Sequence, residues 1–235
     1  MLIGLLRKIN KIFNYISFKK DRLRLNNLIK RGLKVGKNTY IFQDVEIDPG
    51  YPYLIEIGDN CRIGKNVLIL AHDATTFKDL GITRLAPVKI LEGSFIGQRA
   101  IILPGVTIGP RALVAAGSVV NRSVPENRAA AGNPARPYSY YSEVLERLGN
   151  EAKEENLIDI QEIENEALTP DLIIKKINTF STAFVKSVPK FDPYYVNTSM
   201  EEMRRNANEA YSRFKTFSCD KQKNIHAEIE NKLNE

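Results

Sequence analysis

Two histidines, His72 and His226, and two cysteines, Cys61 and Cys219, are the chain's whole stock of imidazoles and thiols. His72 is the one placed for chemistry. It follows Ile69-Leu70-Ala71, is followed by Asp73, and stands where a regular pattern gives way to a long loop. A side chain at such a junction projects from a rigid scaffold into solvent, where function tends to sit. An imidazole there can take up or release a proton near neutral pH. A lone loop histidine is also an ordinary polar residue, so the surrounding pattern has to carry the argument. His226 lies in a helical stretch after Ile225 and reads as a surface residue. The cysteines are far apart and give neither a disulfide framework nor a metal cluster. A three-histidine zinc site is out of reach with two histidines, one of them outside the patterned stretch, so no metal is expected.

That pattern is clearest from Ile90 to Pro125: ILEGSF, IGQRAI, ILPGVT, IGPRAL, VAAGSV, VNRSVP. Each block of six opens with an aliphatic, Ile90, Ile96, Ile102, Ile108, Val114 and Val120. The fifth place is small or branched: Ser94, Ala100, Val106, Ala112, Ser118 and Val124. A period of six is neither the helical 3.6 nor the strand period of two; a short fixed repeat signals a coiling chain. Six residues make one short strand and a turn, and three such strands close one triangular coil. Leading aliphatics then stack inward, small fifth residues fit the corners, and coils lie at the parallel-strand spacing of ~4.8 Å. The phase starts at Val35 and runs through Ile41, Ile47, Ile57, Ile63 and Ile69 before Ile90. It survives a short insertion near Asp48-Pro-Gly-Tyr-Pro52 and a long one after Leu70. Twelve blocks make about four coils of a mainly β protein, a parallel β-helix.

The flanks differ. Residues 1–37 hold eleven Lys or Arg against one acid, so a chain of net charge +6 is acidic over its remainder. Residues 2–30 read as an amphipathic helix with Leu2, Leu5, Leu6, Ile9, Ile12, Phe13 and Ile16 on one face. Such a basic helix suits either an anionic membrane surface or the open sheet edge of the first coil. It is too charged to span a membrane. After Pro125, the turn-rich PENRAAAGNPARPY leads into helical patterns: Tyr141, Val144, Leu145 and Leu148; Thr169-Pro170-Asp171 followed by Ile173, Ile177, Phe180 and Phe184; a Ser199/Glu202 capping box; and a last short helix at Ile225, Ile229 and Leu233. The expected organisation is an N-terminal basic helix over 1–34, a β-helix over 35–137 with a loop at 72–89, and an α-helical C-terminal extension over 138–235. No secretory pattern is visible, so a cytoplasmic protein is expected, peripheral to the inner membrane face if the basic helix binds there.

The phrases IGDNCRIGKNVLILAHD, FIGQRAIILPGVTIG, VAAGSVV and AAGNPAR resemble the hexapeptide-repeat acyltransferases, over about residues 30–138. The similarity is to the galactoside, maltose and xenobiotic O-acetyltransferases and the capsule or O-antigen acetyltransferases. It implies a left-handed coil, a homotrimer, acetyl-CoA as co-substrate, and active sites between neighbouring coils. It implies that His72 is the general base that takes a hydroxyl proton as the oxygen attacks the thioester, an effect typically worth ~10²–10⁴-fold. The N–H of Gln98 matches the oxyanion donor, commonly worth roughly 3–4 kcal/mol. Phe95 and Gly97 of the same phrase, with Ala116, match positions along the pantetheine arm. Asn121, Arg122 and Arg136 match places near the CoA phosphates, where an arginine fork bonds oxygens in pairs.

On the acceptor side, Asp44, Asp48 and Asp73 are the candidates, with Asp73 either bonding a sugar hydroxyl or setting the loop. The His-Asp pair is closer to the polysaccharide acetyltransferases than to the galactoside type, which usually reads His-Pro. The expected function is direct acetyl transfer from acetyl-CoA to a hydroxyl of a capsule, O-antigen or other surface carbohydrate or its precursor. A nucleotide-sugar N-acyltransferase and a non-catalytic trimeric β-helix scaffold are the alternatives. Nucleic acid is not an expected partner, because the basic segment lacks interleaved aromatics for stacking.

Overall fold

A computed structural model of the chain describes residues 16–17, 19–152, 156–159, 184–186, 195–199, 201–202, 205–206 and 208–212. The chain divides into two compact units, Met1–Tyr141 with Pro193–Thr198, and Ser142–Asp192 with Ser199–Glu235. The apolar face expected over residues 2–13, the helical run expected from Thr169 to Phe180, the last short helix expected at Ile225, Ile229 and Leu233, His226 and Cys219 lie outside the described residues.

Residues 19–30 form helix α1, which ends at Gly32 with φ +103. There the N–H of Leu33 donates to the carbonyl of Leu28, and that of Gly32 to Ile29, both at 3.0 Å. This closure satisfies helix-end carbonyls while Leu33 packs back on Leu28; both are buried. Leu25, Leu28 and Leu33 share one core with Ile41 and Ile47 of the first coil. The described part of the basic helix therefore covers the open end of the stack.

The coils follow in order. The first holds β1 (Lys34–Val35), β2 (Thr39–Ile41) and β3 (Glu46–Ile47). The second holds β4 (Ile55–Ile57), β5 (Arg62–Ile63) and β6 (Leu68–Ile69). The loop carries β7 (His72–Asp73), a one-turn helix α2 (Phe77–Leu80) and β8 (Arg84–Leu85). The third coil holds β9 (Val88–Ile90), β10 (Phe95–Ile96) and β11 (Ile101–Ile102), and the fourth β12 (Thr107–Ile108), β13 (Leu113–Val114) and β14 (Val119–Val120). Strands stack into three parallel faces: β1-β4-β9-β12, β2-β5-β10-β13, and β3-β6-β11-β14. The second face continues into β15 (Arg128–Gly132) and its antiparallel partner β16 (Ala135–Tyr140).

Register explains the period of six. Ile57 pairs with Ile90, Ile63 with Ile96, and Ile69 with Ile102, so each leading aliphatic stands on the next. From Ile57 onward these residues are at most 1% exposed, and the fifth-place residues from Ser94 to Val124 at most 3%. Each such aliphatic gains roughly 1.5–3 kcal/mol from burial. Cys61 sits at a fifth place, fully buried, and burial pushes its thiol up to about 11. The fourth place turns the corner with positive φ: Asn38, Asp44, Asn60, Asn66, Gly93, Arg99, Gly105, Arg111 and Gly117. Only glycine, and to a lesser degree Asn or Asp, adopts that conformation at little cost.

Two features lie beyond the expected organisation. The GNPAR exit forms the β15–β16 hairpin, so ladder structure runs on through Tyr140. Strand β19 (Tyr195–Val196) pairs antiparallel with β2, and the Asn197 side-chain amide donates to the Val35 carbonyl at 3.1 Å. Val196 is 3% exposed, so this short strand closes the first coil's edge on the second face. In the other unit, α3 (Tyr141–Glu151) begins where the helical pattern places it. Strands β17 (Leu157–Asp159) and β18 (Phe184–Lys186) pair in parallel, so Phe184, expected on a helix, lies in a strand, and the extension expected to be α-helical carries a two-stranded ladder as well. The Ser199 hydroxyl accepts the N–H of Glu202 at 3.2 Å, the N-cap bond of the expected box.

Stacking tolerates no extra bulk where Gly97 takes the second place of its block. A Cβ on Gly97 would stand 2.4 Å from the Ala116 nitrogen and 2.7 Å from the Ala115 carbonyl carbon. Those are backbone atoms of the next coil and cannot swing away. Gly97→Ala should therefore lower stability by about 1–3 kcal/mol in urea unfolding; an unchanged midpoint would mean that the coils do not meet there.

Candidate active site

Both insertions leave the stack at the same corner, between the third face and the first: residues 48–54 after β3, and 70–87 after β6. His72 heads the second. Its backbone is fixed by a short antiparallel ladder, His72 opposite Leu85 and Asp73 opposite Arg84. The N–H of Ala86 closes the stem on the Ala71 carbonyl at 3.0 Å. The histidine thus stands on a stiff hairpin anchored directly in the coil.

Beneath it lies Asp48, the residue after β3, with no exposed surface. Its N–H donates up to the Ile69 carbonyl at 2.9 Å, which locks the corner to the second coil. One carboxylate oxygen accepts the Gly50 N–H at 2.9 Å. The other accepts the Ala71 N–H at 3.0 Å and His72 Nδ1 at 2.5 Å. Burial pushes this carboxyl's pKa up, but the His72 bond, the two backbone N–H groups and the imidazole's charge outweigh it. The net result is a carboxyl held below its ordinary value. An ionised carboxylate can only accept, so Nδ1 carries the proton and Nε2 is left as the basic nitrogen. The His72 side chain keeps 34% of its surface, so the ring is supported on one side and open on the other. The Tyr51 ring lies 5.4 Å from the imidazole at 54°, limiting its rotation.

This geometry corrects two expectations. Asp48 cannot bind an acceptor, because its carboxylate is enclosed and already accepts three bonds; it orients His72 instead. Gly97 offers nothing to a ligand either: it is buried, its N–H donates to the Val114 carbonyl at 2.8 Å, and its part is close packing. Asp73 is exposed and turned to its own loop, accepting the Thr75 hydroxyl at 2.5 Å and the Thr75 N–H at 2.9 Å. Those two bonds hold its carboxyl below the usual range and give it the loop-setting part.

The remaining candidates fall at two places. Asn121, Arg122 and Arg136 are exposed and share the His72 corner at the level of the fourth coil, with Arg136 Nη1 3.3 Å from Asn121 Oδ1. Gln98 and Ala116 are exposed at the corner between the second and third faces. Among the described residues, neither of their N–H groups donates a bond within the chain. Asp44 turns that same corner in the first coil, 3.6 Å from Lys65 Nζ, and so stands apart from His72. Phe95 is 41% exposed on the second face, in register with Arg62 and Leu113. One chain therefore presents His72 and its free backbone donors at opposite edges of the third face. Among the described residues no cluster of three or more His, Cys, Asp or Glu could hold a metal ion, and no helix is long and apolar enough to cross a membrane.

Residues 87–122 match the family model described as bacterial transferase hexapeptide (six repeats), and residues 55–71 the one described as hexapeptide repeat of succinyl-transferase. "Putative acetyltransferase SAS0727" of Staphylococcus aureus (strain MSSA476) is 39% identical over 135 residues, 54% of this chain and 81% of that protein. "Putative acetyltransferase YvoF" of Bacillus subtilis (strain 168) is 38% identical over 121 residues, 52% of this chain and 68% of that protein. Galactoside O-acetyltransferase of Escherichia coli (strain K12) is 34% identical over 107 residues, 44% of this chain and 52% of that protein. With this repeat, this corner and these relatives, the chain belongs to the hexapeptide-repeat acetyltransferase family, and its coil is that family's left-handed parallel β-helix.

Proposed function

We propose that the protein transfers the acetyl group of acetyl-CoA to a carbohydrate hydroxyl, with His72 as general base and each site completed by a second copy in a homotrimer. The observation that carries this reading is the buried Asp48 carboxylate bonded to Nδ1 of the half-open His72 ring, which leaves Nε2 unbonded to it. A coil serving only as a scaffold has no use for such a pair. Nε2 takes the hydroxyl proton as the oxygen attacks the thioester carbonyl, and Asp48 steadies the imidazolium that results. The tetrahedral oxyanion accepts the Gln98 N–H of the neighbouring copy. Collapse expels the CoA thiolate, which recovers the proton from His72. Cys61 cannot carry an acyl group, being buried with a raised pKa. The burial of the one described thiol supports direct transfer.

The trimer is supported by the three faces. The first carries a charged row, Lys34, Glu56 and Lys89, with Lys34 and Glu56 3.9 Å apart. The third carries Leu68, Ile101 and Val119 above Glu46, an apolar row with the base at one edge and the free N–H groups at the other. Turning three such faces toward one axis brings each His72 corner to a neighbour's Gln98 corner. Acetyl-CoA would then lie against Gln98 and Ala116 of one copy, with Arg122 and Arg136 of the next near its phosphates. The galactoside O-acetyltransferase among the relatives supports a sugar hydroxyl as acceptor. The His-Asp sequence favours a surface polysaccharide or its precursor.

His72→Ala should lower acceptor-dependent thiol release from acetyl-CoA by ~10²-fold or more; equal turnover would remove the base from the mechanism. Asp48→Asn should act on both rate and stability. An amide cannot accept from Gly50, Ala71 and His72 together, so one buried donor is orphaned at roughly 1–3 kcal/mol, and the rate should fall by about 10²-fold or more with the tautomer lost. Because the Asp48 pKa is lowered on folding, its contribution is present above the unfolded value and is lost as pH falls through the folded one. The stability gap between parent and Asp48→Asn should thus be full near neutrality and close below about pH 4; a gap independent of pH would contradict the ionised carboxylate. Ile101→Glu, on the third face, should shift sedimentation from trimer to monomer with the coil intact; a persistent trimer would place the interface elsewhere.

A further inference from the structure

The first insertion does more than supply Asp48. Its Pro52–Leu54 turn and the residue before it carry two aromatic rings, one against His72 and the second against the first. Tyr51 lies against His72, and Tyr53 meets Tyr51 edge to face, ring centroids 6.3 Å apart at 74°. The two rings differ in setting. Tyr51 is half-buried and packs on the core, whereas Tyr53 leaves 57% of its surface in solvent. The root of Tyr53 is nevertheless held: a Cβ on Gly32, the glycine that ends α1, would stand 2.7 Å from the Tyr53 Cβ. The backbone there is wedged between helix end and corner while the ring itself contributes little to packing. An exposed ring on a fixed root, edge-on to the ring that braces His72, continues an aromatic surface outward from that imidazole.

We propose that Tyr51 and Tyr53 form an acceptor wall that selects a closed pyranose ring and sets one of its hydroxyls over His72. This deepens the carbohydrate reading above and rests on it. An aromatic face is electron-rich, and the axial C–H bonds of a pyranose form a flat, weakly positive patch that suits it. An open-chain polyol offers the same hydroxyls without that patch. Tyr51 cannot be altered without loosening His72, so Tyr53 is the residue to test.

The experiment compares methyl β-galactopyranoside, methyl β-glucopyranoside and methyl N-acetyl-β-glucosaminide with the hexitols galactitol and glucitol as acceptors. The quantity read is the ratio of kcat/KM for pyranoside over hexitol, in the full-length protein with saturating acetyl-CoA. The parent should prefer the rings. Tyr53→Ala and Tyr53→Leu should each lose that preference by about tenfold, the equivalent of one aromatic contact, and Tyr53→Phe should keep it. Tyr53→Leu retains an apolar side chain of similar reach, so a loss there reads the flat ring and not a folding defect. Turnover of pyranosides with an unchanged ratio in both variants would overturn the wall and leave the acetyltransferase reading intact. No turnover of any pyranoside by the parent would overturn the wall together with the carbohydrate acceptor.

Discussion

Everything in this molecule depends on the parallel backbone ladder that links one coil to the next. Each strand is only two or three residues long, too short to hold its place without paired neighbours above and below. The ladder stays in register only if every coil brings its strands back to the same height. Chain can therefore be added at a corner but not within a face. Both insertions obey this, leaving after β3 and β6 and returning so that Ile57 still meets Ile90 and Ile63 still meets Ile96. Because the two insertions leave at one corner in consecutive coils, they stack. Asp48 of the lower one meets His72 of the upper at the separation the ladder imposes.

The pair is strong for the reason that makes it unusual. A fully buried carboxylate is costly unless charge-assisted bonds replace its lost water. Here the backbone supplies two N–H groups and the imidazole supplies the third donor. Neither backbone donor is a chance feature. Gly50 comes from the insertion itself, two residues on from Asp48, and Ala71 is the last coil residue before the loop. The same backbone course that stacks the insertions also neutralises the burial, so orientation of His72 comes with the fold.

The architecture was legible because its signal is local and repeated. Twelve aliphatics in phase, surviving two interruptions, name the inward side of every strand, and burial of the series from Ile57 to Val120 agrees with them. The fourth-place residues carried a second signal that the aliphatic phase hides: Asn, Asp or Gly stands there at most corners because the backbone is left-handed. Arg99 and Arg111 break that rule and would have blurred it. What stayed hidden depends on contacts across the stack. Nothing in the sequence distinguishes Asp48, enclosed and bonded on three sides, from Asp44, exposed at another corner. Both are acids near the first insertion, and only the coil-to-coil spacing of 24 residues between Asp48 and His72 joins them. Gly97 likewise reads as part of a ligand phrase until Ala116 is seen standing over it. Strand β19 was illegible because its partner β2 lies over 150 residues earlier, and two residues carry no periodicity.

A coiled sheet must also end, and the way this one ends bears on its chemistry. A stack of short strands exposes three unpaired edges at each end, each a template for another chain. At the first coil, α1 lays Leu25 and Leu28 on the core while β19 pairs with β2. At the last, β15 folds back through β16 and the lone pairing of Ile108 with Val124 finishes the first face. The second face is thus the one paired onward at both ends, while β3 and β14 remain the outer strands of the third. The apolar row of Leu68, Ile101 and Val119 stands on that third face, between the His72 corner and the Gln98 corner.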